Sequence, residues 1–205
     1  MTVDGKSTTY HHGDLRRAIL DAGEEELAAR GVAGFSLRRV AARVGVSHTA
    51  PAHHFGDASG LIEALAERGF LRLVACMQDR QARAIQTPYE RLIATGQGYL
   101  DFALSEPAMF RLIFGLSDTP KEGSALQAAA LSAFLVLARA VGEFRGQDPM
   151  QSAEGRIEVL ACWTRAHGMA DLILSGYIDL PDGDPAERDA FFRNLLAADL
   201  SPRDT

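Results

Sequence analysis

Residues 34–55, GFSLRRVAARVGVSHTAPAHHF, decide how this chain is read. Ser36 carries the side chain of an N-cap, whose hydroxyl accepts from the free amides of a first helical turn. Leu37, Val40, Ala41 and Val44 follow at i, i+3, i+4 and i+7, the apolar stripe of a short amphipathic helix. Gly45 comes next, where a left-handed residue ends a helix at least cost. Val46 can turn inward, Ser47 reads as a second N-cap, and His48 to Phe55 read as a second short helix. Ala41, four residues before Gly45, is small enough to let the two helices cross closely. Arg38, Arg39 and Arg43 lie off the stripe and are expected to be free to meet phosphates. Pro51 would cost about 3 kcal/mol inside a helix. In a first turn the missing amide matters far less, so the second helix is expected to begin around Ser47 to Ala50. Two short helices joined this way are the arrangement that sets a helix in the DNA major groove. A plain helical hairpin in an all-α core is the alternative on pattern alone.

Residues 10–61, YHHGDLRRAILDAGEEELAARGVAGFSLRRVAARVGVSHTAPAHHFGDASGL, resemble the DNA-binding domain of the TetR (tetracycline-repressor) family of bacterial transcription regulators. The resemblance rests on the first helix ending in Arg30-Gly31, on Phe35-Ser36-Leu37, on Val40-Ala41…Gly45-Val46-Ser47, and on the His53-His54-Phe55 ending. It implies DNA contacts from Ser36, Arg38, Ser47, His48, Thr49, His53 and His54. Ser36, Ser47 and His54 would position against phosphates, and Arg38, His48 and Thr49 would reach base edges. Tyr10 to His12 are placed to form an arm at the groove rim. Two positions depart from the family: Ala52 stands where it usually has Tyr, and Ala58 where it usually has Lys. Both family side chains typically touch the DNA backbone, so their absence bears on affinity more than on fold.

Length and charge agree with a DNA-binding head on a larger body. The 205 residues suffice for one or two domains, and 47% hydrophobic content is ample for a core. Residues 1–56 hold seven Lys/Arg against six Asp/Glu, a net of +1, so with −6 overall the remainder carries −7. A near-neutral to basic head on an acidic body fits a protein whose head alone meets DNA. Five of the six His lie in the head, at His11, His12, His48, His53 and His54. On the second helix His48, His53 and His54 are spaced i, i+5, i+6, which does not gather ligands on one face, so no metal or other cofactor is expected. No apolar run is seen to approach the ~20 residues that span a bilayer, and residues 1–14 lack a signal-peptide core. Cys76 and Cys162 read as buried thiols in a reducing compartment, so a cytoplasmic location with no membrane contact is expected.

Further along, helix-start signals recur at Asp14, Asp57 or Ser59, Thr87-Pro88-Tyr89-Glu90, Pro107, Ser124, Asp148-Pro149 and Asp184-Pro185. No β-alternating run stands out. The chain is expected to be all-α with about nine helices. Residues 1–56 would form a helix-turn-helix domain with a polar arm at 1–13, and residues 57–205 a helical ligand-binding and dimerisation domain.

The body carries a second resemblance. Gly96…Tyr99…Phe102-Ala103, Pro107-Ala108-Met109-Phe110-Arg111-Leu112-Ile113-Phe114-Gly115 and Trp163…His167-Gly168 are similar to a TetR-type C-terminal domain marked by a Trp-His-Gly signature. It implies a ligand-sensing, dimerising domain. Tyr99, Phe102, Met109, Phe110, Phe114, Trp163 and His167 are the candidate pocket residues, suited to an apolar molecule with a polar group. Plain core packing is the alternative for each. The last two long helices offer Ile157, Leu160, Ala161, Met169 and Leu172, then Phe191, Phe192, Leu195 and Leu196, as a homodimer interface. The implied function is a ligand-responsive regulator, expected to be a repressor, that binds a palindromic DNA operator as a homodimer and is released by a small effector. An interaction module with weakened DNA binding is one alternative, motivated by Ala52 and Ala58. An enzyme is another, but no G-x-S-x-G, phosphate loop or paired-His metal helix is present.

Overall fold

The computed structural model describes residues 12–116, 119–181, 183–198 and 200, with side chains from Asp14 onward. The arm expected at Tyr10 to His12 therefore lies outside the described side chains. The described residues form nine α-helices and one 3₁₀ turn, without a strand. The helices are α1 (His12–Arg30), α2 (Leu37–Val44), α3 (Ala50–Phe55), α4 (Ala58–Arg83), α5 (Pro88–Ser105), α6 (Pro107–Phe114), α7 (Ala125–Arg145), α8 (Ala153–Leu174) and α9 (Pro185–Ala197). The all-α expectation holds. The chain divides into two compact units, the first ending at Ala66 and the second beginning at Glu67, so the division falls within α4.

In the first unit α1 to α3 and the start of α4 close over one small core. Ile19 and Leu27 of α1, Val40 and Ala41 of α2, Pro51 of α3, and Leu61 and Leu65 of α4 are buried there. Asp57 settles where α4 begins: its Oδ1 accepts the Gly60 N–H at 2.9 Å, capping the first turn.

In the second unit α5 is the central helix, packed against α6, α7, α8 and α9. Its sequence explains the position, since Leu92 to Thr95, Gly98 to Leu100, and Phe102-Ala103 are all buried. A helix apolar on most sides is a core helix. Gly98 lets α4 cross α5 backbone to backbone: a β-carbon there would stand 2.5 Å from the Cys76 carbonyl oxygen.

Ion pairs fasten this packing. Arg80 of α4 reaches Asp101 of α5 (Nε to Oδ2, 2.5 Å) and Asp189 of α9 (Nη1 to Oδ2, 2.8 Å). Arg193 of α9 holds both oxygens of Glu90 at 2.5 and 2.6 Å. That pairing changes the reading of the expected capping box. Thr87 Oγ1 does accept from the Glu90 N–H, at 3.3 Å, but the Glu90 carboxylate is engaged by Arg193.

Two expectations about the body are corrected. Asp148-Pro149 opens only the 3₁₀ turn Pro149–Gln151, and Ser152 starts α8 anew by accepting from the Gly155 N–H at 2.9 Å. And α7, at 21 residues with a mean hydropathy of 1.7 over its most apolar stretch, is long and apolar enough to cross a membrane by length and composition. Gln127 and Ser132 interrupt its apolar run in sequence while leaving its mean hydropathy high. One face of α7, with Val136, Ala140 and Val141, is buried, and its opposite face exposes Leu131 and Leu135.

Candidate nucleic-acid interface and internal cavity

The helix-turn-helix is built by α2, the turn at Gly45 and α3. Val40 and Ala41 bury α2, and α2 packs against α1. Gly45 adopts φ 74°, the left-handed conformation its sequence position predicts, and the Val46 N–H bonds back to the Ala41 carbonyl at 3.1 Å. The second helix begins at Ala50 rather than His48, with Pro51 buried in its first turn. Ser47 and Thr49 join their hydroxyls at 2.9 Å, and the Ser47 carbonyl accepts from the Ala50 N–H at 3.0 Å. His48 and Thr49 thus stand exposed in the turn ahead of α3. Neither serine caps through its side chain: Ser36 makes no such bond to α2, and Thr49, not Ser47, holds the N-cap position of α3.

Of the predicted DNA residues, Arg38, Ser47, His48, Thr49 and His53 are exposed, and Ser36 and His54 are half-buried. The expectation that three arginines are free for phosphates is corrected for two of them. Arg39 donates from Nε to Glu26 Oε1 at 2.5 Å and from Nη2 to the Gly34 carbonyl. Arg43 pairs with Glu25 at 3.0 Å and lies 3.9 Å from Glu26. The reason is Glu26, which is 1% exposed on α1. A buried carboxylate is costly unless paired, so α2 supplies the cations that α1 requires. Arg16 is placed over the Phe55 ring, 5.0 Å from its centroid. Ala52 and Ala58, the two departures, are half-buried on α3 and at the first position of α4. Among the described residues no three His, Cys, Asp or Glu gather as a metal shell.

The second unit holds a partly open cavity of about 390 Å³. Helices α4 to α9 all contribute to its wall, including Phe70 and Leu73 of α4, Tyr99 of α5, Phe114 of α6, Phe134 of α7, Trp163 of α8 and Leu196 of α9. Three of the seven predicted pocket residues line it: Tyr99, Phe114 and Trp163. Phe102, Met109 and Phe110 do not. They are buried at 0, 4 and 3% in helix–helix packing, which is where aromatic and Met residues at helical spacing usually go. His167 stands behind the wall. Its Nδ1 lies 2.8 Å from the Tyr99 hydroxyl, and its ring packs on Phe114 and Phe110 at 4.8 and 5.4 Å between centroids. Burial pushes the Tyr99 phenol well above its ordinary pKa, against a smaller opposing effect of a hydrogen bond with Trp163.

Among the lining residues that sequence reading missed are Leu73, Met77, Thr95, Phe134, Arg165 and Leu196. Thr95 spends its hydroxyl within the fold, accepting from Gln81 Nε2 at 2.7 Å and donating to the Arg91 carbonyl at 2.8 Å. Cys76 and Cys162, expected to be buried thiols, are both half-buried, and Cys162 lines the cavity.

On the outer surface, Ile157, Leu160, Ala161, Thr164 and Leu172 form one exposed stripe along α8. Gly168 lies on the same stripe, with no atom within 4 Å of where its β-carbon would be. Leu195 of α9 is exposed and Phe191 half-buried. Phe192 and Leu196 are a correction: both were expected to meet a partner, yet they are 0 and 6% exposed inside the single chain, Leu196 in the cavity wall. Met169 is likewise buried.

Both units are similar to known proteins. A family model described as "Tetracyclin repressor-like, C-terminal domain" matches residues 92–198, and one described as "Bacterial regulatory proteins, tetR family" matches residues 19–65. The HTH-type transcriptional regulator BetI of Burkholderia mallei (strain NCTC 10229) is 34% identical over 98 residues, 47% of this chain and 50% of BetI. The chain therefore spans about half the length of the curated relatives it matches. A solved structure of a protein with unknown function from Rhodococcus sp. RHA1 shares 32% identity, covering 94% of this chain and 98% of that one, with a TM-score of 0.74. The TetR family transcriptional regulator PfmR from Thermus thermophilus shares the fold at 18% identity, covering 89% and 98%, with a TM-score of 0.64.

Proposed function

This chain belongs to the TetR family of bacterial transcriptional regulators, and from that premise we propose that it is a ligand-responsive repressor whose effector occupies the cavity of the second unit. It is a DNA-binding regulator and not an enzyme. The observation that carries the finer reading is the apolar cavity of about 390 Å³, large enough for a small organic molecule, in a chain that also holds a complete helix-turn-helix. The unit that ends at Ala66 reads DNA, so the start of α4 goes with the DNA-binding unit rather than the boundary at residue 56 expected from sequence, and the unit from Glu67 binds the effector and dimerises. Exposed His48 and Thr49 at the start of α3, with Arg38 on α2, face the bases. Ser36, Ser47, His53 and His54 hold the backbone and groove rim.

One helix-turn-helix reads only a half-site, so a homodimer on a palindromic operator follows, its heads ~34–36 Å apart. The α8 stripe of Ile157, Leu160, Ala161, Thr164 and Leu172 is the face that supports pairing. An effector releases DNA by binding one spacing of the heads more tightly than the other. Such a regulator works in the cytoplasm.

The test is fluorescence anisotropy with the DNA upstream of the protein's own gene, titrated with salt against a scrambled duplex. Sequence-dependent binding with two chains per duplex is expected. Equal affinity for both duplexes at low salt would sink the reading.

A further inference from the structure

Arg38, Arg39 and Arg43 share the short helix α2 and are exposed alike, but their partners differ. Arg38 makes no ion pair among the described residues. Arg39 is held from two sides, its Nε donating to Glu26 Oε1 at 2.5 Å and its Nη2 to the Gly34 carbonyl. Arg43 donates from Nη1 to Glu25 Oε2 at 3.0 Å, and its Nη2 lies 3.9 Å from Glu26 Oε2. Both acids stand on α1, and burial separates them. The Glu25 side chain is 64% exposed, so its pair with Arg43 is a weak surface contact. The Glu26 side chain is almost wholly buried and cannot turn to water, so its carboxylate depends on Arg39 for an opposing charge.

The first helix of a helix-turn-helix crosses the DNA backbone, and α2 is that helix. A guanidinium there offers the same forked donors to a phosphate as to a carboxylate. Resting on the DNA reading above, we infer that Glu26 is a positioning residue for DNA binding: standing in for a phosphate, it keeps Arg39 on α1 and off the duplex. α2 therefore meets the backbone one cation short of what its sequence carries. Each phosphate neutralised releases counterions and adds about 0.9 to the slope of log K against log salt, so Glu26 sets a shallower salt dependence than three free arginines would give. The net charge of only +1 over residues 1–56 agrees with a head whose cations are largely spent within the fold.

The full chain is titrated with the upstream duplex and its scrambled counterpart at four salt concentrations, and the salt slope is read. Arg38→Gln should flatten the slope by about 0.9 per head. Glu26→Leu leaves Arg39 no buried carboxylate, fills the buried site with an apolar side chain, and should steepen the slope by about 0.9 per head. With two heads on the duplex, it then loses about twelvefold more affinity than the parent over a fourfold rise in salt. At low salt both duplexes should tighten by the same factor, because phosphates carry no sequence information. The double variant Glu26→Leu/Arg39→Gln should return to the parent slope. A steepened slope that persists in the double variant traces the gain to the missing carboxylate and not to Arg39. A parent slope in Glu26→Leu with parent helical circular dichroism means that the released Arg39 finds no phosphate. Either result overturns the inference. If Glu26→Leu unfolds, Glu26→Gln, which keeps the shape and leaves Arg39 only a neutral acceptor, decides by the same comparisons. A parent that binds both duplexes equally sinks the sequence-specific reading and leaves this inference standing, whereas no binding of either duplex by any variant sinks both.

Discussion

Replacing Ala58 by Lys tests whether the DNA face lacks a phosphate contact. Ala58 is half-buried and opens α4, one residue after the capping Asp57. A lysine stem can lie along the surface there while its ammonium stays in water. A cation in a first turn opposes the helix dipole, at a cost of about 0.3–1 kcal/mol, and the neighbouring Asp57 offsets part of that. The effect on binding is larger. One added phosphate contact per subunit steepens the slope of log K against log salt by about 0.9, hence by about 1.8 for two subunits. Over a fourfold rise in salt, Ala58→Lys should lose about twelvefold more affinity than the parent. Anisotropy at four salt concentrations on the upstream duplex measures it, with Ala58→Gln as an uncharged control of comparable reach. A parent-like slope in Ala58→Lys would mean that the start of α4 does not approach a phosphate, and the docking drawn from α2 and α3 would be wrong.

The same assay should show Ala52→Tyr tightening binding with little change of slope, because a phenol contacts phosphate without releasing a counterion. Arg80→Met removes four hydrogen bonds to two partly exposed carboxylates, so solvent screening limits the loss to about 2 kcal/mol and the melting temperature to a fall of about 4–8 °C. The bonds from Arg80 hold the Asp189 pKa below its ordinary value. Stability from that pair is therefore complete above about pH 4 and lost as pH falls through the depressed folded-state value, and acid melts should show this limb flattened in Arg80→Met. Phe192→Ala empties a fully buried site and should cost about 3–5 kcal/mol by denaturant titration. Ile157→Asp, on a residue 66% exposed, should leave the fold intact and shift sedimentation toward monomer; a dimer that survives it would move the interface off the α8 stripe.

The sequence alone determined the elements. Gly45 after a four-point apolar stripe, and Pro51 tolerated only in a first turn, fix α2 and α3, because caps and prolines act within a turn or two of where they stand. The same locality made the helix starts at Thr87 and Asp184 legible. What a side chain meets across the molecule was not legible. Arg39 and Arg43 look free in sequence until Glu26, on another helix, turns out to be buried and to require them. Phe192 and Leu195 both read as interface residues, and only the packing of α9 decides which one faces inward.

The cavity is the clearest case. Helical spacing marks the buried faces of α4 to α9 but not where six such faces fail to fill the space between them. Phe102 and Tyr99 are three residues apart and both buried, yet only Tyr99 borders the void. That a wall so apolar in composition carries Arg165 is likewise a fact of packing, since it depends on α9 bringing the Leu196 carbonyl within reach of α8.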